Sequence, residues 1–189
     1  MNKTLYQIYP EIARLNTRLS RLNDAIDAMQ CYLSTLCDDP QCDAEYEALR
    51  QVYCTLHDNE KSIRGRIVRL SAECACLETL PEFFAKRDAL VQLPADTPSN
   101  EVSAALTLFL EARNAAIKAV FNRDSGVERA GLCSAKPVAG KVDRSQDLPG
   151  VTTGYKAIFS CGTDVYSYST AYRAEFSPDL ELLDITKVD

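Results

Sequence analysis

The sequence is short of the residues from which most active sites are built. A single histidine, His57, stands in 189 residues. Without a second histidine at helical spacing it cannot form a metal-binding pair, and as a general base it needs a nucleophile brought in from elsewhere. The cysteines at 31, 37, 42, 54, 74, 76, 133 and 161 lack the two close pairs of a zinc site. Cys74 and Cys76, two apart on a helix, point to different faces and cannot chelate together. A disulfide framework suits small secreted chains that cannot build a core, so these residues read as thiols, buried or on the surface, that behave as small hydrophobes. No metal and no cofactor is expected.

Long apolar runs are lacking too. Nowhere do 18 apolar residues follow one another, so no membrane-spanning segment is expected. Met1 to Ser20 carries Lys3, Glu11, Arg14 and Arg18 and has no unbroken apolar stretch of the signal-peptide kind, which makes the cytoplasm the expected compartment. Excess positive charge is missing as well: 27 acidic against 21 basic residues leave a net charge of -6. That balance disfavours nucleic acid and anionic membranes as partners. A phosphate loop around Gly140-Lys141 is excluded, because alanine occupies 135 and valine 142 where glycine and Ser or Thr are required.

What the sequence does have is periodicity. Leu5, Ile8, Ile12, Leu15, Leu19, Leu22, Ile26, Met29, Leu33 and Leu36 alternate steps of three and four, a narrow apolar seam with a mean step of 3.5. Pro10 fits the first turn of a helix starting near Tyr9, or kinks one that began earlier. After Asp39-Pro40 a second seam follows: Cys42, Tyr46, Leu49, Tyr53, Leu56, Glu60, Ile63, Ile67, Leu70, Cys74 and Leu77, with Glu60 its one polar member. The short connection lets the seams serve each other as an antiparallel coiled-coil hairpin. Positions summing to about 78 then face one another, which pairs Arg21 with Asp58, Arg18 with Glu60, Asp27 with Arg50 and Glu11 with Arg66. A break is expected at Thr79-Leu80-Pro81, then a short helix over 82–93. A further helix, capped by Ser99 or Asn100, is the internal candidate for a third layer and a three- or four-helix bundle. A second copy of the chain is the external candidate.

From Val127 to Gly154 periodicity is lost, and glycines and prolines mark a loop. Period two returns over 155–160, 165–176 and 180–188, three strands of a small antiparallel meander. The expected fold is therefore mainly α, with a helical hairpin or bundle over 1–122, a loop or linker over 123–154 and a three-stranded β element over 155–189.

With no catalytic constellation in view, the expected function is a non-enzymatic protein-protein interaction module, an adaptor, assembly factor or inhibitor, which binds a protein partner or itself. Its candidate contacts are Tyr155, Tyr166, Tyr168 and Tyr172, whose rings offer rigid area with polar tips, together with Lys136, Lys141 and Arg144 of the mildly basic loop. The same tyrosine face could instead pack on the helices, since a small sheet needs a cover. Two alternatives stand beside this. One is an enzyme with its site between the 127–154 loop and the sheet, using Cys161 with Asp164 and Glu175. The other is an acidic helical mimic that blocks a nucleic-acid-binding protein.

Overall fold

A computed structural model describes residues 4–36, 43–127, 130–139, 152–162 and 169–188. The protein is mainly helical and ends in an antiparallel sheet. Helices α1 (Leu5–Leu36), α2 (Asp43–Val91) and α3 (Ser99–Asp124) precede strands β1 (Gly131–Ala139), β2 (Thr152–Gly162), β3 (Ser169–Phe176) and β4 (Leu182–Val188). The chain divides into two compact units, Met1–Ser71 and Ala72–Asp189.

The first unit holds α1 and the beginning of α2. Ile8, Leu15, Ile26, Leu33, Ile63 and Leu70 are buried, and all belong to the two seams. The remaining seam positions described between Leu5 and Leu70 are half-buried, Glu60 among them, while most flanking positions are exposed. The helix starts before Pro10, not at Tyr9: Gln7 and Ile8 donate backbone bonds to the Thr4 carbonyl, and the Thr4 N–H donates to Gln7 Oε1 at 3.1 Å, the return bond of a capping box. Two contacts set the direction of the helices. Arg66 donates to Glu11, and the Tyr32 hydroxyl donates to Glu45 at 3.3 Å. Both pairs sum to 77, so α1 and this part of α2 run in opposite directions. Of the four expected ion pairs, Glu11 with Arg66 forms. Two of the others lose to nearer partners on the same helix: Glu60 takes Arg64 at 2.6 Å, and Arg50 sits 3.6 Å from Glu47. Among the described residues no ion pair joins Arg21 to Asp58.

In the second unit α2 runs unbroken through Pro81, where a break was expected. A proline inside a helix costs about 3 kcal/mol. Beyond it, Phe83 and Leu90 are buried in the core. Each contributes roughly 1.5–3 kcal/mol on burial, enough between them to offset the proline. α3 starts one residue earlier than its expected caps. Pro98 precedes the helix, Ser99 lies inside it and no side chain caps the end; Glu101 in the first turn and Arg123 in the last complement the helix dipole.

The sheet has four strands in the order β1-β2-β3-β4, all antiparallel. The extra strand, β1, falls within the stretch expected to be a loop. Its register slips at Leu132/Ser134 and again at Pro137/Ala139, so the alternation that marks a strand never appears in its sequence. An edge position also tolerates Pro137. One face of the sheet, with Tyr155, Ala157, Phe159, Ala174 and Phe176, shares a single core with Phe83, Phe109, Ile117 and Phe121 of the helices. α3 thus packs on the sheet. Asn122 anchors the start of β1: its side-chain carbonyl accepts the Ala130 N–H at 3.0 Å while its amide donates to the Ala130 carbonyl at 3.4 Å. At the β3–β4 turn, Leu180 adopts a left-handed backbone (φ 63°) that keeps its side chain in the core.

Candidate protein-interaction surfaces

The strand alternation that seats Tyr155, Ala157 and Phe159 inward turns Lys156 and Ile158 outward. Register then aligns Lys136 of β1, Lys156 of β2, Glu175 of β3 and Asp184 of β4 in one row across the sheet. Lys156 Nζ meets Glu175 Oε1 at 2.7 Å, which neutralises the middle of the row. Lys136 is left at the β1 edge and Asp184 at the β4 edge. The next row sets Ser134, Ile158, Arg173 and Thr186 side by side. This outer face is a mixed surface, basic at one edge and acidic at the other, with Ile158 exposed near its centre.

Inside the same sheet, Tyr155 is buried and, among the described residues, its hydroxyl has no hydrogen-bond partner. Burial pushes its pKa up, with the Arg113 charge acting in the opposite direction. The Arg113 guanidinium lies 5.7 Å from the centre of the Tyr155 ring. Arg113 itself is buried and donates to the Ala135 carbonyl of β1 and to Asn114 Oδ1. Arg87 of α2 reaches Asp179 in the β3–β4 turn at 2.8 Å. These cations act within the fold, as ties between the helices and the sheet.

The candidate contacts inferred from sequence therefore separate. Tyr155 faces the helical layer, and Tyr172 is half-buried and packed against the same core, 6.3 Å from Phe121. Burial removes Tyr155 from any surface open to a partner. Lys136 is exposed on β1. Tyr166, Tyr168, Lys141, Arg144 and Asp164 lie outside the described residues. The Cys161 side chain is buried and its thiol pKa is raised by burial, the wrong direction for a nucleophile. His57 is in the first unit, its Nδ1 3.1 Å from Glu60 and its ring edge-on to Tyr53.

A second surface lies in the first unit. A shallow groove of about 680 Å³ runs along the start of α1, lined by Tyr6, Pro10, Arg14, Arg18 and Arg66 among others. Tyr6 is 89% exposed there and Tyr9 about half exposed. Neither Arg14 nor Arg18 has an ion-pair partner among the described residues. Whole-chain charge hides this basic end, and only a count made helix half by helix half brings it out. The charged row on the sheet was equally hidden, because Lys136 joins it only through a strand with no periodic signal.

No protein-family model, no curated protein and no solved structure matches the chain. Among the described residues no helix is long and apolar enough to cross a membrane.

Proposed function

We propose that this protein is a non-enzymatic interaction module, an adaptor, assembly factor or inhibitor that works by presenting helical and sheet surfaces to another protein or to its own copies. In this reading α1 and the beginning of α2 wind as an antiparallel coiled-coil hairpin, and a further partner completes a bundle around it. The supporting observation is that burial in the first unit follows a single narrow seam, while Tyr6, Tyr9, Tyr32 and Val52 stand exposed outside it. Isolated surface apolar residues are ordinary, but four on one slender pair of helices supply area that an association would cover.

The sheet contributes its outer face in place of its tyrosines. Lys136 and Asp184 at opposite edges, with Ile158 between the charged rows, offer a patterned contact. Reduced thiols at Cys74, Cys76 and Cys161 fit the cytoplasm as its compartment.

Solution mass measured together with affinity capture tests the proposal. The full chain is weighed by sedimentation, then immobilised in native lysate and chemically crosslinked to whatever it retains. Self-association, or a retained protein crosslinked to α1, α2 or the outer sheet face, supports an interaction module. A monomer that retains nothing, or a turnover assay that finds activity lost in Cys161→Ala, overturns it.

A further inference from the structure

The chain's net charge conceals a strong separation within the first unit. With facing positions summing to 77, α1 up to Leu22 lies alongside α2 from Thr55 onward, and the rest of α1 alongside Asp43–Cys54. The first half carries seven basic side chains, Arg14, Arg18 and Arg21 among them, against Glu11, Asp58 and Glu60, a net of +4. The second half carries Asp24, Asp27, Asp43, Glu45 and Glu47 against Arg50 alone, a net of -4. Internal pairing does not cancel this. Among the described residues, Arg14, Arg18 and Arg21 of the first half and Asp24 and Asp27 of the second have no ion-pair partner.

A 32-residue helix is about 48 Å long, so the centres of the two halves are roughly 24 Å apart. The screening length at physiological salt is about 8 Å. Away from the middle of the unit, where Arg21 and Asp24 stand three residues apart, the two halves are therefore screened from each other, and these solvated charges gain from an opposite charge only when it comes close.

We infer that the first unit pairs side by side with the first unit of a second copy, in opposite orientation, so that each basic end lies on its partner's acidic end. This rests on the reading of the protein as an interaction module and names its partner. Opposite net charges of equal size on the two halves of one unit are what a two-fold self-complementary contact requires. A two-fold axis through the middle of the unit satisfies both ends at once, whereas parallel pairing sets like charges together. The exposed apolar residues match in the same way. Tyr6 and Tyr9 lie in the basic half and Tyr32 in the acidic half, so the two-fold brings these rings towards each other, with Val52 near the middle of the unit. The result is a four-helix arrangement around the two hairpins.

Two charge-reversal variants of the full chain test this, Arg14→Glu/Arg18→Glu/Arg21→Glu and Asp24→Lys/Asp27→Lys/Glu45→Lys. All six residues are exposed. Sedimentation across a salt series should show wild type as a dimer at low salt that dissociates as salt rises. Each variant alone should self-associate on the order of a hundredfold more weakly, and the equimolar mixture should restore a dimer. Circular dichroism confirms that each variant stays helical, and recovery in the mixture could not come from unfolded chains. A wild type that stays monomeric at low salt, variants that dimerise as tightly as wild type, or a mixture that fails to associate overturns the pairing. A monomeric wild type that instead binds a polyglutamate peptide or a single-stranded oligonucleotide through Arg14, Arg18 and Arg21 also overturns it, while leaving the interaction-module reading in place.

Discussion

Phe121 of α3 lies stacked on Phe159 of β2, the ring centroids 3.7 Å apart and the planes 11° from parallel. Both side chains are fully buried. This is the closest ring contact among the described residues, and it joins helix to sheet in the second unit's core. Removing a buried phenylalanine costs about 3–5 kcal/mol. Phe159→Ala should lose that much in urea unfolding followed through the second unit. A loss under 1 kcal/mol would show that the stack does not hold the two layers together.

Tyr155, beside Arg113, has its hydroxyl buried with no hydrogen-bond partner among the described residues. An unsatisfied buried hydroxyl is a net cost, so deleting it removes a penalty and breaks no bond. Tyr155→Phe should leave thermal stability unchanged or raise it, whereas Tyr155→Ala should lower it by about 3–5 kcal/mol as other large aromatic truncations do. Marked destabilisation by the phenylalanine variant would mean that the hydroxyl has a bound water or other partner.

Three glycines make a graded series. A Cβ at Gly154 (φ 153°) would meet the Phe176 carbonyl oxygen at 2.3 Å, backbone that cannot step aside. At Gly126 (φ 69°) the space is open but the backbone is left-handed, and at Gly131 the nearest atom is 3.7 Å away. Gly131→Ala should be close to neutral, Gly126→Ala should cost about 1 kcal/mol, and Gly154→Ala should cost more than either. Chemical denaturation of the three variants checks the order.

The thiols should divide by burial. Cys31, Cys54 and Cys133 are exposed, while Cys74, Cys76 and Cys161 are buried. Burial pushes the Cys76 thiol up to about 11 and raises Cys74 and Cys161 as well. Mass-mapped alkylation of the native protein at pH 8 should mark the first three and spare the last three until denaturant is added. Rapid native labelling of Cys161 would contradict its place in the core and reopen the nucleophile reading.

Glu60, the polar member of the second seam, gives a pH signature. The bond from Arg64 holds its carboxyl below the ordinary 4.5; desolvation opposes this, and His57 adds to it. A depressed folded pKa stabilises the protein above the unfolded value, and the contribution is lost as pH falls through the folded value. Wild type should therefore melt above Glu60→Gln at pH 7, and the gap should close as the pH drops below 4.5. A gap that persists or widens in acid would rule out the carboxylate as its source.

The two seams were legible because a helix repeats its own neighbours: a side chain's face depends only on its spacing along the chain, and burial from Ile8 to Leu70 follows that spacing. The last three strands were legible for a similar reason, through period two. Tertiary structure alone decided the rest. β1 exists through its pairing with β2, and two bulges erase its pattern, so no local signal announces it. α2 continues past Pro81 because Phe83 and Leu90 find a core supplied by distant residues. Alternation sets Tyr155, Ala157 and Phe159 on one sheet face, but only the packing of α3 determines that this face is covered. Which charges pair also lies beyond periodicity: Glu60 chooses Arg64 over Arg18 because a partner four residues along the same helix is held in reach before any tertiary contact forms.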